Sequence, residues 1–207
     1  MNSVTLLVIA KEPLPGRAKT RLTPPCSPAQ AAALARASLH DTLDVVVRTP
    51  AARRVLVFDG DGRAWQRSGL ELLSQRGGGL GERLDAAFAD VDPPALLVGM
   101  DTPQLTPELL SDAAAALARP EVDAVLAPTL DGGYWGVGFR RRTSGAFERV
   151  TMSTRWTCRE QRARFGELGL TIHEPPTLRD VDTIEDARAV AGIAPATRFA
   201  RAFAALA

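Results

Sequence analysis

The chain reads as a single α/β domain spanning residues 1–207, with a mostly parallel central sheet flanked by helices. Three observations predict it. Short apolar, β-branched runs alternate with Ala/Leu-rich stretches of helical length. The run Ala95 to Met100, ALLVGM, is apolar on both faces, as befits a central strand covered by helices on either side. No repeat, linker or low-complexity segment divides the 207 residues, a length that buries a full core without staples.

The first element organises the rest. Val4 to Ala10 predicts a buried strand that breaks at once into a Pro/Gly loop carrying Lys11, Gly16, Arg17, Lys19 and Arg21. Four cations just past the carboxyl end of a strand lie where an open α/β sheet binds its ligand, so the loop points to a polyanion, most simply the phosphates of a nucleotide. Lys11 and Lys19 are the only lysines in a chain that otherwise uses arginine. A lysine is a compact point charge suited to a phosphate cluster, whereas arginine is a planar fork. The competing reading is a solvated charged loop.

Further elements follow in order. Ser27 and Gln30 form a capping-box pattern with proline at the first helical position, predicting a long helix to about Val47. Arg53 to Asp59 is a second strand, Arg63 to Arg67 a short helix and Leu70 to Ser74 a third strand. The glycine cluster QRGGGLGER, with Gly78 and Gly79, leads into a helix over Leu80 to Ala89; it fits either close backbone approach to an anion or a plain flexible loop.

Asp101 sits at the carboxyl end of the central strand, and Thr106-Pro107-Glu108 caps the next helix without it. That leaves Asp101 to hold a phosphate-bridging divalent ion, or to act as a turn aspartate bonding its own backbone. After a strand at Asp123 to Ala127 comes Asp131-Gly132-Gly133-Tyr134-Trp135. There the glycines and aromatics offer a ligand surface, while Asp-Gly between apolar runs also signals a hairpin returning along Trp135 to Phe139. Ser153-Thr154 is expected to start a helix to about Leu168, and Leu170 to His173 a short strand. In RDVDTIED, Asp182 is either a second metal ligand or, like Thr183, the cap of a helix over Ile184 to Ala191. A last amphipathic helix is predicted within Ala196 to Leu206.

Several classes are excluded. A net charge of +1 argues against a nucleic-acid binder. Cys26 and Cys158, far apart and without metal spacing, give neither a disulfide framework nor a zinc site. The apolar runs are far shorter than a membrane span, and no cation precedes the first as a signal peptide requires. The expectation is a soluble cytoplasmic protein of open oligomeric state.

The segments AKEPLPGRAKTRL, QRGGGLGERLDAAF, GMDTPQL, PTLDGGYWGVGF and LRDVDTIEDA together resemble a bacterial family of GT-A-type nucleotide-diphospho-sugar transferases, often labelled arsenosugar-biosynthesis-type glycosyltransferases. The likeness spans about Val4 to Val190 and is most specific in KxPxPGxxKTRL and DGGY. A more distant likeness links the opening loop and GMDTP to 2-phospholactate and molybdenum-cofactor guanylyltransferases. The resemblance implies a Rossmann-like sheet, a nucleotide over the first loop, and Mg2+ or Mn2+ on Asp101. Two departures stand out. Gly79 replaces an acid that relatives commonly carry, and Pro103 breaks the usual Asp-x-Asp motif, so Asp101 works alone or with a distant partner such as Asp182.

The expected roles follow from these residues. Lys11, Lys19, Arg21 and Arg17 neutralise phosphates, and Gly132, Gly133 and Tyr134 present a small-molecule acceptor. Asp131 serves as base or binds a hydroxyl. Glycosyl transfer from a nucleotide-sugar ranks ahead of nucleotidyl transfer onto a phosphorylated acceptor; a nucleotide-binding regulator without turnover is the third reading.

Overall fold

A computed structural model describes residues 4–206. Seven strands form one sheet in the order β3-β2-β1-β4-β6-β5-β7. They are β1 (Thr5–Lys11), β2 (Arg53–Asp59), β3 (Glu71–Ser74), β4 (Ala95–Val98), β5 (Ala124–Pro128), β6 (Tyr134–Phe139) and β7 (Ile172–His173). The parallel pairs are β1 with β2, β1 with β4, β2 with β3 and β5 with β7, and only β6 runs against its neighbours. The sheet is thus the mostly parallel one the sequence predicts, and the Asp-Gly turn is indeed a hairpin.

The described residues form six α-helices around it: α1 (Pro28–Arg48), α2 (Leu80–Ala89), α3 (Pro107–Ala116), α4 (Thr157–Glu167), α5 (Ile184–Ile193) and α6 (Arg198–Ala204). Strand alternation decides which face meets which helix. Leu6, Val8 and Ala10 of β1 pack with Leu39, Leu43 and Leu110 of α1 and α3. Leu7, with Val57 and Leu97, packs on the other face with Leu84 of α2 and Phe165 of α4. A smaller cluster joins α5 and α6 to the start of α1 through Leu34, Val190 and Phe199. None of these helices is long and apolar enough to cross a membrane.

Local rules hold at most element ends. Ser27 accepts from the Gln30 amide at 3.2 Å while the Gln30 side chain accepts from Ser27 at 2.7 Å, the capping box read in the sequence. Thr106 caps α3, and Thr183 with Asp186, not Asp182, caps α5. Some boundaries move. The short helix near Arg63 is a 3-10 turn over Gly62–Trp65. β4 stops at Val98, two residues short of Met100, and the strand expected from Leu170 holds only Ile172 and His173.

The largest shift concerns α4, which begins at Thr157 rather than at Ser153-Thr154. Ser153 adopts the left-handed conformation, φ 61°, which helical residues do not. The Thr157 hydroxyl turns back onto the carbonyls of Thr151 (2.9 Å) and Thr154 (2.8 Å). The residues before α4 therefore form a tight loop, and Gly132 pins it. Its φ is +91°, a Cβ there would lie 2.1 Å from the Arg155 carbonyl oxygen, and its own carbonyl accepts from the Cys158 amide at 2.8 Å. Gly132 is a glycine because another stretch of chain lies against it.

Two expected outcomes test this packing. Gly132→Ala should lower stability by about 2–4 kcal/mol, read from the urea midpoint, because it adds both strain and a clash. At the α1–α6 contact, Asp44 accepts from Arg67 and Arg198; burial pushes its carboxyl up, but the two guanidiniums outweigh that and hold it below the ordinary 3.8. A depressed folded-state value adds stability that is complete above the ordinary value and fades as pH falls through the folded one. Asp44→Asn should therefore be destabilising at pH 7 and lose progressively more of that penalty as pH falls below 3.8, measured by urea unfolding across that range.

Candidate functional site

The carboxyl edge of the sheet opens into a cleft of about 380 Å³. Each wall has a local cause. β1 ends at Lys11, and the chain loops through Gly16 (φ +75°) to Lys19, itself left-handed at φ 51°. A lysine in that conformation is strained unless its surroundings hold it. Here its side chain, 8% exposed, donates to Asp101 at 2.7 Å, to Asp182 at 3.3 Å and to the Val181 carbonyl. Arg21 joins Asp182 at 2.9 Å.

The strand end bearing Asp101 is fixed from behind, where the Ser38 hydroxyl of α1 donates to the Met100 carbonyl at 2.6 Å. Asp101 makes its side-chain bond to Lys19, while its carbonyl accepts from the Val181 amide at 3.0 Å. That backbone bond lays the segment Asp180-Val181-Asp182 beside β4. In extended chain successive side chains alternate. Val181 is 1% exposed and packs into the α5–α6 cluster, so Asp180 and Asp182 face the cleft.

Asp131 completes the acidic floor. Its Oδ1 accepts from the Thr129 hydroxyl at 2.6 Å and the Gly133 amide at 2.8 Å, the self-bonding turn expected of Asp-Gly. Oδ2 takes no donor among the described residues. Ligand oxygens of Asp131, Asp180 and Asp182 all lie within 4.8 Å of one another. Burial, and then the charges of Asp131 and Asp182, push the Asp180 carboxyl up to about 7, with Lys19 opposing. Burial pushes Lys19 down, but Asp101 and Asp182 more than reverse it and keep the ammonium charged. Crowded carboxylates of this kind are relieved by a cation, and an all-oxygen donor set suits a hard divalent ion such as Mg2+ or Mn2+. The residues present fit such an ion.

Nine of the predicted residues line the one cleft: Lys11, Arg17, Lys19, Arg21, Asp101, Asp131, Gly133, Tyr134 and Asp182. Gly16, Gly78, Gly79 and Gly132 are not among its lining. The Gly78 amide donates to Glu82 at 2.7 Å, and Gly79 caps α2; Leu80 is what that loop contributes to the cleft. Tyr134 lines the cleft and packs against the core behind it; its hydroxyl lies 3.5 Å from Gln161 Oε1 and 3.7 Å from Met152 Sδ, and burial pushes the phenol up.

Sequence reasoning passed over Asp180 and the stretch Met152-Ser153-Thr154. The Asp-x-Asp alternation in RDVD was the available signal for Asp180. Nothing local marks the other three, whose loop packs against Gly132 and is held by the Thr157 hydroxyl.

The fold has solved counterparts. A protein from Desulfovibrio desulfuricans G20, provisionally designated a nucleotide-diphospho-sugar transferase, matches 100% of this chain and 94% of its own at 28% identity and a TM-score of 0.86. Rv0371c from Mycobacterium tuberculosis H37Rv, solved with manganese, matches 91% of this chain and 97% of its own at 21% identity and a TM-score of 0.58. CMP:2-keto-3-deoxy-manno-octonic acid synthetase, solved with CTP, matches 92% of this chain and 98% of its own at 11% identity and a TM-score of 0.61. The latter two share the fold. No curated protein matches the sequence. Residues 42–154, more than half the chain, match the model of a family described as "Uncharacterized protein conserved in bacteria (DUF2064)", and the protein belongs to that family.

Proposed function

We propose that this protein is a metal-dependent transferase that uses a nucleotide-sugar and passes the sugar to a small-molecule acceptor. The observation that carries this reading is the meeting, in one cleft, of the four cations of the β1 loop with the four aspartates Asp101, Asp131, Asp180 and Asp182. A polyanion bound with a divalent cation satisfies both sets at once. Either set alone would be left with uncompensated charge in a partly desolvated cleft.

Lys11, Arg17, Lys19 and Arg21 bind the phosphates. Asp101 and Asp182 would hold the metal, at the edge of the group in which Asp182, Asp180 and Asp131 oxygens lie within 4.8 Å of one another. A bound Mg2+ or Mn2+ supplies fixed positive charge where the diphosphate gathers negative charge. Lys19 has two positions to serve. In the free protein its ammonium neutralises Asp101 and Asp182; with a diphosphate bound it would turn to the phosphates and leave those carboxylates for a divalent ion to occupy. Cations already in place lower the barrier without rearranging during bond breaking. Asp131, through its free Oδ2, accepts the proton of the acceptor hydroxyl.

The charge of the rim supports a second reading. Lys11, Arg17 and Arg21 add to Lys19 more cations than a diphosphate needs, which suits a triphosphate and nucleotidyl transfer onto a phosphorylated acceptor.

Calorimetric titration with UDP, GDP and GTP, with and without Mn2+, tests the proposal: one nucleotide should bind, and only with metal at full affinity. Release of a nucleoside diphosphate from a nucleotide-sugar marks glycosyl transfer, and pyrophosphate release from a triphosphate marks the second reading. Lys19→Ala and Asp101→Ala should each weaken metal-dependent nucleotide binding by about ten- to a hundredfold with an unchanged far-UV spectrum. Wild-type affinity in either variant removes the role assigned to that residue.

A further inference from the structure

The opposite edge of the sheet carries a cavity of its own. Where β4 begins and β6 ends, a space of about 230 Å³ opens between α2 and the turn after β6, and it shares no lining residue with the cleft. Three phenylalanines line it: Phe88 of α2, Phe139 at the end of β6, and Phe147. Their ring centroids lie 4.9 Å apart for Phe88 and Phe139, 5.9 Å for Phe139 and Phe147, and 6.0 Å for Phe88 and Phe147. Asp85 stands three residues before Phe88, so the two side chains share one face of α2, and both line the cavity.

The charges at this cavity are unusual. Asp85 is half-buried beside the aromatic rings and makes no hydrogen bond or ion pair among the described residues. Burial, and then the charge of Glu148, push its carboxyl up, as happens to an acid short of a cation. The turn after β6 contributes Arg141 and Arg142 to the same lining. Arg142 is committed, donating to the Ala89 carbonyl at 3.3 Å and to Asp92 at 2.9 Å. Arg141 is exposed and makes no hydrogen bond or ion pair among the described residues. One cavity therefore presents an unpaired carboxylate, an unpaired guanidinium and a cluster of aromatic rings.

We infer that this cavity binds an aromatic amino acid, its ring among the three phenylalanines, its ammonium on Asp85 and its carboxylate on Arg141. The inference stands apart from the proposed function. The volume gives room for roughly eight water-sized groups, about the size of a benzyl side chain, with the charged head left at the rim. A ring packs edge or face against the phenylalanines, and an ammonium gains from their faces as well as from the carboxylate. Simpler ligands satisfy only part of the site. An apolar molecule leaves Asp85 desolvated and unpaired, an anion meets its repulsion, and a plain amine leaves Arg141 unused.

Titration of the 15N-labelled protein, followed by amide chemical shifts, compares L-phenylalanine with phenethylamine, which lacks the carboxylate, and 3-phenylpropanoate, which lacks the ammonium. L-Phenylalanine should bind with a Kd of about 1 mM or tighter, as its size allows, and shift amides of α2 and of residues 139–147. Each half-ligand should bind at least about tenfold more weakly, the worth of one charge-assisted hydrogen bond. Asp85→Asn and Arg141→Gln, both conservative in shape and outside the core, should each weaken L-phenylalanine by about tenfold while the remaining amide spectrum reports an intact fold. The inference is overturned if L-phenylalanine fails to bind by about 10 mM, if either half-ligand binds as tightly, if the shifts fall on the cleft instead, or if affinity survives either substitution.

Discussion

One contact holds the site together: the Lys19 ammonium set between Asp101 and Asp182, 2.7 Å from the first and 3.3 Å from the second. It joins three pieces of chain remote in sequence, namely the loop after β1, the end of β4 and the segment leading to α5. Lys19 is almost wholly buried and carries a left-handed backbone, two unfavourable features that its carboxylate partners compensate. Because Asp101 and Asp182 stay partly exposed, the pair is accessible to a competing cation.

The surrounding architecture explains why these groups meet. Parallel strands β1 and β4 end on the same edge, and Ser38 fixes the last residues of β4 from the helix behind. The single antiparallel strand, β6, begins at that edge, so the hairpin that feeds it brings Asp131 and Tyr134 to the strand ends from the opposite direction. Val181 then anchors Asp180 and Asp182 by burying itself between them. In the proposed reading this combination lets one cleft offer cations to phosphates and carboxylates to a metal.

Much of this was legible in residue order. Continuous apolar runs, the Ser27–Gln30 box and the Thr106 cap follow local rules that tertiary structure left intact, and they place β1, α1 and α3 closely. The clustering of both lysines in one loop likewise marked the cleft. Other features were illegible because they come from contacts between distant segments. Gly132 looked like room for a ligand, yet the chain at Arg155 fills that room, and the loop packed there precedes α4 and carries Met152 and Ser153, which line the cleft. Gly78 looked available to an anion, but Glu82 from the following helix takes its amide. Asp180 was masked by its neighbour, since a helix start so readily accounts for acids in that stretch.

If Lys19 and a divalent ion share the same carboxylates, nucleotide and metal must bind cooperatively, since phosphates that draw the ammonium away free Asp101 and Asp182 for the ion. Electron paramagnetic resonance of free Mn2+, titrated against the protein with and without a bound nucleoside diphosphate, measures this directly. Mn2+ affinity should rise at least about tenfold when the nucleotide is present, a coupling of ordinary size for linked sites. Equal Mn2+ affinity in both titrations would contradict the exchange on which the whole account of the site depends.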